Sequence, residues 1–153
     1  MIIKNYEIGE LYSFLFNLIL KGKESRMRTR FLKLLEDQLN LINLERQQLI
    51  SDYAEKDDHG EVLYNLEQVD GKEMEVPIFT DDSEKEIQKQ ILALLNEDFI
   101  IEETADKADI LQTLQEIILN CDLEFTGKKA TMYDRFCEIF EDIPLLKQPE
   151  ITQ

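Results

Sequence analysis

The sequence predicts a mainly α fold with a minor β component (α+β): a long antiparallel helical hairpin, a small β-hairpin, then three shorter helices. Three observations predict it. Apolar residues recur at helical spacing over most of the chain, they alternate with polar ones only around positions 62–78, and 153 residues suit a single core. Hydrophobic residues make up 43% and charged residues 33%, a mixture too apolar for wholesale disorder. One domain over 1–143 is therefore expected, divided into a helical hairpin (1–56), a β-hairpin (61–79) and a helical part (83–141), with 144–153 as a frayed tail.

Met1 to Lys4 is short and β-prone. Ile8, Leu11, Tyr12, Leu15, Leu18 and Ile19 then share a stripe, which predicts a first helix over about 7–21 with Gly22 as its stop. Phe14 and Phe16 lie off that stripe, so this helix is apolar over most of its circumference and belongs in the core or against a partner. Ser25 offers an N-cap for a second helix running to about Lys56, with Met27, Phe31, Leu35, Leu39, Ile42, Leu49 and Tyr53 on one stripe and Leu32, Leu34, Leu41, Leu44 and Ile50 widening it. Thirty-odd residues make a rod of roughly 45 Å, longer than a core of this size, so part of it should project or pair with another copy. The short link 21–25 implies that the two helices fold back on one another.

After the polar loop Asp57-Asp58-His59-Gly60, Val62, Tyr64 and Leu66 alternate with polar residues, as do Met74, Val76 and Ile78. Asp70-Gly71 between them is a hairpin-turn dipeptide, and Pro77 limits the second strand to an edge or an early end. Thr80, Asp81 and Asp82 can cap a third helix over about 83–96, where Ser83 and Glu86 fit a capping box. Phe99 to Ile101 reads as a strand or buried connector. A fourth helix over about 105–120 turns Ile110, Leu111, Leu114, Ile117, Ile118 and Cys121 inward, and Met132, Tyr133, Phe136, Cys137 and Phe140 define a fifth that ends before Pro144.

Charge is distributed unevenly. Residues 1–50 hold eight Lys/Arg and six Asp/Glu, whereas the remaining 103 hold nine and twenty-seven, within a total of −16. Such asymmetry bears on partners and association rather than on fold. Lys21, Lys23, Arg26, Arg28, Arg30 and Lys33 crowd the start of the second helix. On that helix Arg26, Arg30 and Lys33 share one face beside the Met27, Phe31, Leu35 stripe, and Arg28 sits apart from both. Lys23, Arg26, Arg28, Arg30 and Lys33 are the candidate interaction residues. Neutralising the acidic remainder, within the fold or between subunits, is the favoured role; an acidic partner is the next, and nucleic acid is disfavoured by the net charge.

The other candidates for chemistry are weaker. Asp57, Asp58, His59 and Glu61 gather metal-ligand types but match neither a calcium loop nor a zinc site, and His59 is the one histidine. No nucleophile signature, phosphate-binding loop or cofactor fingerprint is present, so no catalytic residue, metal or cofactor is assigned. The dense carboxylates from Glu61 to Asp109 fit a solubilising surface with acidic helix starts; a surface that mimics the phosphate charge of DNA is the alternative. Cys121 and Cys137 fall in apolar-periodic segments, as buried thiols of a reducing compartment do.

The opening helix and LKGKESRMRTRFLKLLEDQL carry a resemblance over roughly residues 1–55. This stretch resembles the N-terminal part of a family of small uncharacterised proteins encoded by tailed phages and prophages of Gram-positive bacteria. The resemblance implies a viral, cytoplasmic setting in a host cell, in which the chain assists assembly or engages a host protein; it carries no activity and no functional residues. The expected function is thus non-enzymatic: protein–protein interaction with a phage or host partner, with self-association to a homo-oligomer and no membrane contact. The alternative is an acidic nucleic-acid mimic that inhibits a host nuclease, polymerase or defence protein.

Overall fold

Local signals account for most element types, and contacts distant in sequence set their ends. The computed structural model describes residues 1–144, so the expected frayed tail from 145 lies outside the described residues. In chain order they form β1 (Ile2–Lys4), a single 3₁₀ turn (Asn5–Glu7), α1 (Ile8–Phe16), α2 (Gly22–Tyr53), β2 (Tyr64–Val69), β3 (Lys72–Pro77), α3 (Asp81–Leu95), β4 (Asp98–Ile100), α4 (Ala108–Leu119) and α5 (Lys128–Glu141). The mainly α plus β class, the long helix and the small β-hairpin are as the sequence leads one to expect. Close packing falls into two compact units, Met1–Leu39 with residues 98–144, and Asn40–Glu97.

In the first unit, β1 and β4 pair antiparallel with Ile3 opposite Phe99 and Lys4 opposite Asp98, and an exposed ion pair joins Lys4 to Asp98. Ile3 and Ile101 are buried, as are Ile8, Leu11 and Leu15 of α1. Met27, Phe31, Leu32 and Leu35 of α2 are buried too, with Leu111, Leu114 and Ile118 of α4 and Phe136, Ile139 and Phe140 of α5. Each such side chain contributes about 1.5–3 kcal/mol by leaving water, so this set is the main source of the unit's stability. The rings of Phe31 and Phe140 meet at 5.7 Å between centroids, joining α2 to α5. Buried Asn5 accepts a 3.0 Å hydrogen bond from the Gln38 amide.

α1 ends five residues before the expected boundary, and the cause is polar. Asn17 Nδ2 donates to the Ser13 carbonyl at 2.7 Å, and the Arg28 guanidinium donates to the Leu15 carbonyl at 3.2 Å and to the Leu18 carbonyl. These donors satisfy the last-turn carbonyls that a continuing helix would have bonded. Ile19, read as part of the apolar stripe, consequently lies outside the helix and is fully exposed. Gly22 does not stop α1; it opens α2 with φ +59°, a left-handed conformation that side chains resist. Ser25 is then an interior residue whose carbonyl accepts from Thr29 Oγ1 at 3.0 Å, so it is not the N-cap.

In the second unit, Ile42 and Ala54 from the α2 end, with Ile87 and Leu94 of α3, are the buried apolar residues. Leu41 and Leu44, which widen the stripe in the sequence, are exposed. Thr80 caps α3, its hydroxyl accepting from Ser83 N at 3.1 Å, so the cap lies three residues before the expected capping box. The β2–β3 hairpin turns at Asp70 and Gly71, with φ of 51° and 77°, the paired positive values of a type I′ turn. Pro77 is the last residue of β3, opposite Tyr64. Backbone bonds from Glu55 N to Ile78 O, Ile78 N to Leu63 O and Leu63 N to Glu55 O tie the hairpin base to the end of α2.

Gly71→Val should be costly here. A β-branched residue held at that positive φ costs about 1–2 kcal/mol, and a two-stranded hairpin has little stability to spare. The expected outcome is loss of cross-strand nuclear Overhauser contacts between 64–69 and 72–77. Unchanged contacts would show that the turn does not limit the hairpin.

Candidate functional site

The basic segment runs from Lys21, just before α2, to Lys33 within its fourth turn, and the structure assigns its members different tasks. Lys23 Nζ reaches Asp109 Oδ1 at 2.7 Å, and Lys33 Nζ lies 3.0 Å from Asp37 and 3.9 Å from Glu36, all with mostly exposed side chains. The Asp37 hydrogen bond and charge, with Glu36 behind it, raise the Lys33 pKa above its ordinary value. Exposed pairs of this kind contribute little stability. Arg28 is half-buried and spent on the carbonyl ends of α1. Arg26 and Arg30 are exposed and make no ion pair among the described residues, although the chain carries 33 carboxylates. Two like charges one turn apart repel, so this face of α2 is cationic and has no compensating ion pair among the described residues.

A second surface of the first unit is apolar. α1, the 120–127 loop and the start of α5 enclose a groove of about 630 Å³ lined by Phe14, Leu18, Leu123, Phe125 and Met132, with Glu10 and Lys129 among its polar members. Beneath it Phe14 contacts Phe125, Tyr133 and Phe136 at centroid distances of 6.0, 6.1 and 5.3 Å, and Phe125 stacks on Tyr133 at 4.5 Å. The Tyr133 hydroxyl donates to the Ile118 carbonyl at 2.7 Å. Burial, and then a hydrogen bond with Cys137, push its pKa up to about 12, so it stays protonated as a donor. Cys121 and Cys137 are half-buried free thiols. Sequence reasoning missed this groove, because its walls come from segments a hundred residues apart; the one signal was Phe14, off the apolar stripe.

The third surface is the hairpin. Every residue of β2 is exposed, as are Lys72 to Glu75 of β3, so the hairpin buries neither face. Residues opposite one another in an antiparallel pair project to the same side. One side therefore carries Tyr64, Leu66, Gln68, Glu73 and Glu75, and the other carries Asn65, Glu67, Val69, Lys72, Met74 and Val76. Tyr64, Leu66 and Met74 remain half or more exposed. Between 57 and 76 the sequence holds seven carboxylates against one lysine. In the preceding loop Asp57 Oδ1 accepts from His59 N at 2.9 Å and Glu61 N at 3.0 Å, so that carboxylate organises the turn. The acids of the α3 start, Asp81, Asp82 and Glu84, sit where the helix dipole favours them.

Glu7 is the exception among the acids, because it is buried. Arg135 Nε lies 2.6 Å from Glu7 Oε1 and its Nη2 3.3 Å from Oε2, which also accepts from Lys4 N at 2.9 Å. Burial pushes this carboxyl up, but the hydrogen bonds from Arg135 and Lys4 N, with the charges of both side chains, outweigh it and hold the pKa below 4.5. The geometry is that of a clamp between the N-terminal turn and α5, with every carboxylate oxygen satisfied.

Among the described residues no three His, Cys, Asp or Glu side chains are grouped so as to hold a metal ion, and no helix is long and apolar enough to cross a membrane. Compared with protein-family models, curated proteins and solved structures, the chain matches none.

Proposed function

We propose that this chain is a non-enzymatic protein that acts through protein–protein contact and associates with copies of itself. The observation that carries the reading is the β2–β3 hairpin, which keeps Tyr64, Leu66 and Met74 in water on its two sides. A two-stranded hairpin open on both faces is marginal alone, and covering its apolar side chains would remove that cost. The unpaired Arg26 and Arg30 add a charged surface to the apolar one, the combination by which interfaces gain both affinity and selectivity. The N-terminal resemblance to phage proteins would set that role in a phage-infected cell. Sedimentation velocity from submicromolar to high micromolar protein tests the reading. A sedimentation coefficient that rises with concentration is expected; a monomer at every concentration and salt level would contradict it.

A second reading is supported by the acid density between 57 and 76, with Glu67, Glu73 and Glu75 exposed on one small sheet. There the carboxylates would imitate DNA phosphates and occupy a nucleic-acid-binding host protein. A partner captured from host lysate that duplex DNA displaces would favour mimicry, and one that DNA leaves bound would count against it.

A further inference from the structure

We propose that two copies of this chain dock reciprocally, the hairpin side bearing Tyr64, Leu66, Glu73 and Glu75 of each copy lying on Arg26 and Arg30 of the other. The inference rests on the self-association reading above and names its two surfaces.

Spacing is the first argument. Glu73 and Glu75 are two positions apart on β3, so they project to one side about 6.8 Å apart along the strand. Arg26 and Arg30 are four positions apart on α2, so they project to one side about 6 Å apart along the helix. Two carboxylates thus meet two guanidinium forks in matching register, and the planar fork can hold a carboxylate through two hydrogen bonds. All four side chains are exposed, and none has an ion pair among the described residues.

The chemistry beside the charges is the second. Tyr64 and Leu66 share the side of Glu73 and Glu75, through the pairings Leu66 opposite Glu75 and Tyr64 opposite Pro77. Their apolar surface can cover the methylene stems of the arginines, and the tyrosine ring offers a face to a guanidinium. Leu66, 68% exposed, would lose that exposure in the contact.

Competing arrangements fare worse. Hairpin against hairpin would oppose seven carboxylates with seven, in a segment holding one lysine. Lys23 and Lys33, at either end of the cationic face, already meet Asp109 and Asp37. A reciprocal contact also closes on itself with two-fold symmetry, so association stops at a dimer instead of growing into a filament.

Two charge-reversed variants test the pairing, R26E/R30E and E73R/E75R. Every substituted side chain is exposed, so both should fold, and far-ultraviolet circular dichroism checks that each does. Each variant alone sets like charges against one another, and its dimer should weaken by about tenfold or more in sedimentation velocity at physiological salt. Mixed in equal amounts they should dimerise again, since one contact is then wild-type and the other is reversed on both sides. Variants that weaken alone but fail to combine would overturn the pairing. Undiminished association of either variant would also overturn it while leaving self-association through another surface intact. A wild-type chain that is monomeric throughout would remove the underlying reading as well as this inference.

Discussion

Phe31→Ala is expected to cost about 3–5 kcal/mol, the range for deleting a fully buried phenylalanine ring. Phe31 is 0% exposed, lies on the inward stripe of α2 between Met27 and Leu35, and touches the Phe140 ring of α5. Its removal takes away the transfer free energy of the ring and leaves a cavity that helices on both sides cannot close without shifting. Leu44→Ala on the same helix is the control. Leu44 belongs to the widened stripe of the sequence but is 65% exposed, so its loss should stay within about 0.5 kcal/mol. Urea unfolding followed by circular dichroism measures both, and comparable losses at the two positions would contradict the placement of the core in the first unit.

Arg135→Met should be the next most damaging change, at about 2–3 kcal/mol, because it strands the buried Glu7 carboxylate with Lys4 N as its remaining hydrogen-bond donor. The exposed half of the arginine admits water and keeps the cost below that of a fully buried pair. The pH dependence carries the sign. In the wild type the folded pKa of Glu7 lies below its ordinary value of 4.5, so its contribution is present above 4.5 and is lost as pH falls through the depressed folded value. Without Arg135, burial becomes the dominant influence on that carboxyl and moves its pKa upward. The Arg135→Met penalty should therefore be full at neutral pH and shrink in thermal melts as pH falls through the acid range, because protonating the stranded Glu7 then favours the folded state, whereas the wild type loses its Glu7 contribution there. Glu7→Gln, with no charge to strand, should lack this part of the acid transition. Superimposable acid limbs in all three proteins would show that the clamp contributes nothing.

What was legible in the sequence was local. The Asp70-Gly71 dipeptide announced a type I′ turn because the two positive φ angles belong to those residues themselves. The Met27, Phe31, Leu35 stripe announced the buried face of α2, since period and burial coincide there. Boundaries set from a distance could not be read. Beside the end of α1 at Phe16, Arg28, more than ten residues later, takes the Leu15 carbonyl of its last turn and the Leu18 carbonyl just beyond, and nothing in the spacing of Leu18 and Ile19 records that. The Glu7 clamp spans 128 positions, and in the sequence Glu7 is one acid among thirty-three. The pairing of β1 with β4 joins segments nearly a hundred residues apart and too short to show alternation. The candidate site was half legible: the cluster Lys23, Arg26, Arg28, Arg30 and Lys33 stood out by charge, but only geometry separates the two unpaired arginines from the capping one and the paired lysines. The exposure of both hairpin sides was hidden for the same reason, since an alternating pattern promises a buried face whether or not anything covers it.

Hydrogen–deuterium exchange as a function of protein concentration tests the contact account most directly. Amides of β2 and β3 should exchange rapidly in dilute protein and gain protection as concentration rises, while those of residues 27–35 on α2 stay equally protected throughout. Hairpin protection that is independent of concentration over the range in which association is measured would contradict it.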